Sequence, residues 1–310
     1  TWNAPLVKSV GNAIGNETLE YGVDILLAPA TNIMRNPLCG RNFEYYSEDP
    51  ILAGKLTSAM IQGIQQNGVG TSIKHFALNN QETNRTGNNV LVSPYVMHEL
   101  YLKPFEIAIR ESTPWTVMSS YNKVNGEYAS ENSLLLDSIL RRQWGYKGLV
   151  MTDWFGGQDA VKQTVAGNDL LMPGLKKQRK VLKDAVENGK LSTHILDRNV
   201  QRILELIVKT PRFQQYDYTN AVDLGANART SRMAAAEGMV LLKNDNLTLP
   251  LDKSQTGRIA LFGISSYDFI PGGTGSGDVN RAYTISLAEG LKQAGFQWDE
   301  KLAELYDTYI

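Results

Sequence analysis

The chain is poor in cysteine and histidine, and it has no surplus of charge of either sign. Cys39 is its only cysteine, which excludes a disulfide framework, and with three histidines besides it no cysteine-rich zinc site can be built. Thirty-one Lys and Arg face thirty-two Asp and Glu, a formal charge of -1. That balance lacks the basic footprint that binding to a phosphate backbone needs, so no nucleic-acid partner is expected. Long apolar runs are missing too. The longest candidates, such as Val23 to Ala30, fall well short of the roughly 18 to 20 uncharged residues that span a bilayer, and no membrane partner is expected. Thr1 to Val10 carry neither a basic start nor an apolar signal core, which leaves the compartment open.

What remains is 310 residues with 42% hydrophobic and 20% charged content, enough for one large barrel or two ordinary domains. Apolar runs of strand length fall at Gly22–Pro29, Gly70–Phe76, Trp115–Tyr121, Gly148–Trp154 and Asn168–Pro173, several of them apolar on both faces. Strands buried in a parallel sheet have that pattern. Helical periodicity lies between them, over Ile51–Asn67, Ser93–Glu111, Ser133–Gly145 and Gln158–Gly167, and continues through Lys176–Gly189 and Thr193–Lys209. The order predicts an α/β fold with a (β/α)8-type barrel over residues 1–209.

The periodicity stops at TPRFQQYDYTNAVDLG, which reads as a linker over 210–225. Residues 226–310 then read as the beginning of a second α/β domain. It holds a helix over Asn227–Lys243 with Met233, Ala236, Val240 and Lys243 on one buried face, and a strand at Arg258–Gly263. A glycine-rich loop (GGTGSG) and a helix over Ser286–Gly295 follow. Five strands cannot close a barrel that needs eight, so the barrel is expected to be incomplete and to lack its opening strands. A single strand in the second domain is expected to leave an unpaired edge.

Polar residues recur at the C-terminal ends of the apolar runs: Lys74 and His75, Tyr121, and Asp153. In a parallel barrel those ends converge on one mouth. Cations, a phenol and a carboxylate gathered there suit sugar hydroxyls grouped around an acetal carbon, and Trp154 offers an apolar face to a pyranose ring. Each has a structural alternative, a lysine reaching solvent or an aspartate capping the next helix. His98 and His194 fall in helical patterns without ligand-spaced partners and read as surface or structural, so no metal site is expected.

The segments GRNFEYYSEDP (40–50), KHFALNNQE (74–82), MSSYNKVNG (118–126), GYKGLVMTDW (145–154) and AAAEGMVLLKN (234–244) resemble those of family 3 glycoside hydrolases, and among these the β-glucosidases. The resemblance runs in family order along nearly the whole chain. It implies a retaining glycosidase, a barrel joined to an α/β sandwich with the active site between them, and release of terminal β-D-glucose from β-glucosides and cello-oligosaccharides. It implies no cofactor and a periplasmic or extracellular location. By that resemblance Asp153 is the nucleophile, in a TDW where the family usually has SDW. Arg41, Lys74 and His75 match its grip on the hydroxyls of the first sugar, while Met118 and Tyr121 match side chains that line it. Cys39 stands where glycine is common.

A retaining mechanism needs a second carboxyl group as general acid, which in the family is a glutamate on the sandwich domain. No match to it is found. Glu237, Glu289, Glu300 and Glu304 read as structural or solvated helix residues. Further segments of the same gene product, or another chain, are therefore expected to complete the barrel and the site. The readings left beside β-glucosidase are a β-xylosidase or arabinofuranosidase of the same family, and a non-catalytic sugar-binding relic. A nucleotide-binding reading of GGTGSG has little support, because no GK[ST] follows and no acidic residue ends a second strand some 20 positions on.

Overall fold

The computed structural model describes residues 1–309, which divide into two units, Thr1–Met239 and Val240 onward. Seven short strands are β1 (Ile25–Leu26), β2 (Gly70–Phe76), β3 (Asn89–Val90), β4 (Thr116–Ser119), β5 (Lys123–Val124), β6 (Glu127–Tyr128) and β7 (Leu149–Thr152). Four of them form a parallel sheet in the order β1-β2-β4-β7. Leu170 extends it by a parallel bridge to Met151. The five apolar runs therefore lie side by side in chain order, as a β/α progression requires, and the result is a partial barrel wall. A second sheet, β3-β5-β6, ties the segment after β2 to the segment after β4.

The helices start where caps and prolines allow. Asn3 accepts the Leu6 amide at the head of α1 (Ala4–Glu20), and Asp49 accepts the Leu52 amide at the head of α2 (Pro50–Gln65), each with a proline in the first turn. The expected single helix over 93–111 is broken into a turn α3 (Pro94–Val96), a π-helical stretch Met97–Tyr101 and α4 (Lys103–Ser112). Pro104 accounts for the restart: a proline has no amide to continue the helix, but fits the first turn of a new one. Another π-helical segment, Leu134–Gln143, precedes β7, and α5 (Ala160–Ala166), α6 (Lys176–Glu187) and α7 (Thr193–Ile207) complete the run. The sequence reading did not find α1, whose glycines and polar residues blur its apolar face.

The core gathers Phe76 from β2, Phe105 from α4 and Trp144. The ring of Phe76 meets those of Phe105 and Trp144 edge to face at 5.2 and 5.8 Å. Beneath β7, Asp169 is buried and receives Arg141 at 2.7 Å, Arg202 at 2.8 Å and the Val150 amide at 2.9 Å. A buried carboxylate so satisfied binds the fifth run to the π-helical segment and to α7.

Residues 210–223 are held to the first unit. Glu20 accepts hydrogen bonds from the Tyr216 hydroxyl and from both the amide and the hydroxyl of Thr219. The following helix, α8 (Leu224–Gly238), is capped by Asp223 and reaches α1 through Asn227 and Glu17. The expected helix over Asn227–Lys243 is corrected at both ends. It begins earlier and stops at Gly238, and Met233, Ala236, Val240 and Lys243 are exposed rather than buried. Among the described residues no apolar surface covers that face.

In the second unit the expected strand over Arg258–Gly263 is reduced to a single residue, Ile259, which makes an isolated parallel bridge to Trp298. Between them lies α9 (Leu287–Gln293), and α10 (Glu300–Tyr309) follows.

Helices α1 and α2 touch along glycines. A Cβ built on Gly11 would stand 2.6 Å from the Met60 carbonyl oxygen, and one on Gly63 would overlap the Lys8 carbonyl oxygen. We expect Gly63→Ala to destabilise the fold by roughly 1–3 kcal/mol, since neither backbone can recede without moving a helix. Chemical denaturation measures it, and a variant as stable as the parent would mean that the helices can part freely.

Candidate active site

The strand ends are prolonged by backbone rungs that fix where the polar side chains emerge. The Thr31 amide donates to the Lys74 carbonyl (2.9 Å), that of Ser120 to Phe76 (2.8 Å) and that of Asp153 to Ser119 (3.0 Å). Lys74 and His75 thus leave β2, Tyr121 leaves the end of β4 and Asp153 the end of β7 on one edge of the sheet. The loop after β1 adds Arg41 at the start of a 3-10 turn, Asn42–Glu44.

Asp153 is buried, with its Oδ1 accepting the Trp154 amide at 2.8 Å. Its Oδ2 lies 3.8 Å from His75 Nε2. Tyr121 is buried near the same carboxylate. Glu44 joins the two cations: Arg41 Nε donates to its Oε1, and Lys74 Nζ lies 3.5 Å from its Oε2. Arg41 and Lys74 would otherwise repel each other, and a carboxylate between them lets both stay charged in a confined space.

The electrostatics follow from burial and from these neighbours. Burial raises the Asp153 pKa above the usual aspartate value, although the Trp154 amide, the Tyr121 hydroxyl, Arg41 and Lys74 all pull it down. Desolvation outweighs these neighbours. His75 is held neutral well below its ordinary pKa by burial, with Arg41, Lys74 and Arg85 acting in the same direction. Burial also lowers Lys74, against the opposing pull of Glu44. Burial and the Asp153 charge push the Tyr121 hydroxyl up to about 12, so it remains a donor across the physiological range.

Met118 and Trp154 take a different place from the polar groups. Met118 is buried in an apolar cluster with Leu149 and Met151, against which Leu27, Trp154 and Leu170 pack. Trp154 is half-buried, so it can both close that cluster and present an edge. Of the residues singled out from sequence, Arg41, Lys74, His75, Tyr121 and Asp153 come together, and Met118 and Trp154 form the apolar floor beside Asp153. Glu44 is bound by Arg41, three residues before it. Its second contact, to Lys74, joins residues thirty positions apart and has no local signal. Arg85 over the Tyr121 ring was not foreseen at all.

Glu289 receives the Ser286 amide and hydroxyl in a capping box, which is a structural task. Glu237 binds the Thr1 hydroxyl on the surface, while Glu300 opens α10 and Glu304 is exposed. His98 is half-buried and His194 exposed, and no group of metal-binding side chains occurs among the described residues. Among the described residues no helix is long and apolar enough to cross a membrane.

A neutral imidazole, two cations bridged by a carboxylate, a phenol and a buried aspartate thus meet at the carboxyl edge of one parallel sheet. The chain belongs to glycosyl hydrolase family 3: the family's N-terminal domain matches residues 1–206 and its C-terminal domain residues 239–308. It is 43% identical over 298 residues to the thermostable beta-glucosidase B of Acetivibrio thermocellus, covering 95% of this chain and 39% of that protein. It is 36% identical over 306 residues to an exo-alpha-(1->6)-L-arabinopyranosidase of Bifidobacterium breve, covering 96% of this chain and 40% of that one. The structure of beta-glucosidase 3B from Thermotoga neapolitana in complex with glucose is similar at 49% identity with a TM-score of 0.94, over 99% of this chain and 44% of that one. The chain therefore spans about two fifths of the length of the relatives it matches.

The raised Asp153 pKa has a kinetic consequence. Where turnover needs this carboxylate ionised, activity is lost as pH falls through its folded-state pKa, and that acid limb lies above the range of an ordinary aspartate. A profile of kcat/KM against pH checks it. An acid limb in the ordinary aspartate range would mean that water or the cations compensate the desolvation.

Proposed function

We propose that this chain is the nucleophile-bearing part of a retaining β-glucosidase that releases terminal non-reducing β-D-glucose. The observation that carries this reading is the buried Asp153 carboxylate, which has one oxygen held by the Trp154 amide and lies beside Lys74, His75 and Tyr121. The names of the relatives support the substrate class.

In this reading Asp153 attacks the anomeric carbon and the glycosidic bond breaks, leaving a covalent glycosyl-enzyme. Lys74 and Arg41 donate to sugar hydroxyls, and Glu44 keeps the pair apart at the right spacing. His75, being neutral, donates or accepts without adding charge next to the nucleophile. The oxocarbenium-like transition state is met by donors already in position, which limits the reorganisation it requires. Met118 and Trp154 supply the apolar wall of the first subsite.

The leaving oxygen needs a proton. Glu44 is engaged by Arg41 and Lys74, and Glu82 by Asn79 and Arg85, so neither is free to act as the general acid. We assign that role to a carboxyl group on a further segment of the same polypeptide, in keeping with the relatives' greater length.

A pentosidase is the second reading, favoured by the arabinopyranosidase among the relatives. Initial rates of the native polypeptide on aryl glycosides of glucose, xylose and arabinose separate the two. For the proposed nucleophile, Asp153→Asn is expected to lower kcat by about 10³-fold or more while the protein keeps its parent-like melting. A 2-deoxy-2-fluoroglucoside should leave its adduct on the peptide that contains Asp153. Turnover preserved in the variant, or an adduct on another carboxylate, reassigns the nucleophile.

A further inference from the structure

The chain makes a tight turn immediately after β7. The Gly156 amide donates to the Asp153 carbonyl at 3.0 Å, which puts Trp154 and Phe155 in the middle of the turn. Phe155 takes a φ of +63° there, a conformation ordinarily left to glycine or asparagine. At 63% exposure its ring gains little burial in return. Such a backbone persists only where its surroundings over-determine it. The same turn carries the Trp154 amide that donates to Asp153 Oδ1 at 2.8 Å. Three contacts hold it. The Phe155 amide donates to the Met172 carbonyl at 3.0 Å. Glu131 Oε1 accepts the Gln158 and Asp159 amides at 2.6 and 2.9 Å, where the turn leads into α5. From α5 itself, Gln163 Nε2 donates to the Gly156 carbonyl and, at 3.3 Å, to the Ser130 hydroxyl. The fit is close: a Cβ on Gly157 would overlap both the Gln163 amide and the Ser130 hydroxyl.

We propose that Gln163 is a positioning residue for Asp153: bonded to the Gly156 carbonyl from within the protein, it holds the left-handed turn that sets the Trp154 amide on the Asp153 carboxylate. The connection is continuous in hydrogen bonds. It runs from Gln163 to the Gly156 carbonyl, from the Gly156 amide to the Asp153 carbonyl, and from the Trp154 amide to Asp153 Oδ1. Gln163 is 1% exposed, so it acts without contact to a sugar. The proposal rests on the reading of Asp153 as nucleophile and adds to it a residue ten positions further along the chain. A carboxamide suits the task, because the buried Gly156 carbonyl needs a donor and an ionised carboxylate of the same size has none to give.

The test uses the native polypeptide and its variants Gln163→Met, Gln163→Asn, Phe155→Gly and the Gln163→Met/Phe155→Gly pair. Methionine keeps the reach of the side chain without its donor. Asparagine keeps the amide one methylene short, and carries the test if the methionine variant folds poorly. Amide hydrogen exchange of the peptide spanning 153–157 is followed beside kinetics on an aryl glucoside. We expect that peptide to exchange faster in both Gln163 variants. Their kcat should fall by about 10- to 100-fold with a much smaller change in KM, as misplacement of a reacting group does. Trapping by a 2-deoxy-2-fluoroglucoside should slow in step, since it reports the attack of the nucleophile alone. In the Phe155→Gly background the loss caused by Gln163→Met should shrink, because glycine adopts a positive φ without being held there. Unchanged exchange over 153–157 in both Gln163 variants overturns the proposal, and so does a loss of kcat that is equally large in the Phe155→Gly background. Faster exchange together with an active Asp153→Asn variant would uphold the hold of Gln163 on the turn and refute the nucleophile assignment.

Discussion

The parallel backbone ladder is the constraint on which the site depends. Because β1, β2, β4 and β7 run the same way and sit in chain order, every strand delivers its last residues to the same edge. Rungs from Thr31, Ser120 and Asp153 carry the ladder past the ends of the strands. His75 and Asp153 come from strands that are not neighbours, yet their side chains approach to 3.8 Å. Immediately after His75 comes Phe76, locked between Phe105 and Trp144 in the core, so packing below the sheet sets the position of a polar residue above it.

Charge in this pocket is arranged so that no cation or carboxylate stands alone. Burial works against Asp153, Lys74 and His75 alike, and each finds a different answer. Asp153 has a backbone amide, Lys74 shares Glu44 with Arg41, and His75 gives up its proton. Bringing Lys74 and Arg41 together without Glu44 would place like charges in a poorly solvated space. Glu44 therefore belongs to the binding machinery even though it need not touch a ligand. A similar device recurs beneath the sheet, where Asp169 joins Arg141 and Arg202. There it connects supporting elements rather than binding groups.

The two ends of the first unit differ in how they are held. Residues 210–225 read as a linker from composition; 210–223 do lack helix and strand, while Leu224 and Gly225 already belong to α8, and Glu20 fastens the stretch through Tyr216 and Thr219. A polar, aperiodic stretch can thus be well anchored, because the anchoring lies in side chains from a distant helix. Beyond α8, Met239 to Leu242 are exposed apolar residues. Patterning marks such a run as made for burial, but only a partner surface can bury it.

Much of the architecture could be read from local chemistry. Apolar runs of strand length separated by helical periodicity identify a parallel α/β fold, since that pattern suits strands buried on both faces. Lys74, His75, Tyr121 and Asp153 stood out because polar residues at the ends of such runs have one common destination. Other features required the folded chain. Helix α1 was hidden because its burial relies on glycines that let it approach α2, which is a property of the pair. The contact of Glu44 with Lys74, the stacking of Arg85 on Tyr121 and the pairing of Ile259 with Trp298 all join residues far apart in the chain, where no spacing rule applies. The direction of the Asp153 shift also belongs to the tertiary structure. Sequence names the charges near a carboxylate, but only packing decides how much water it loses, and here the lost water outweighs the charges.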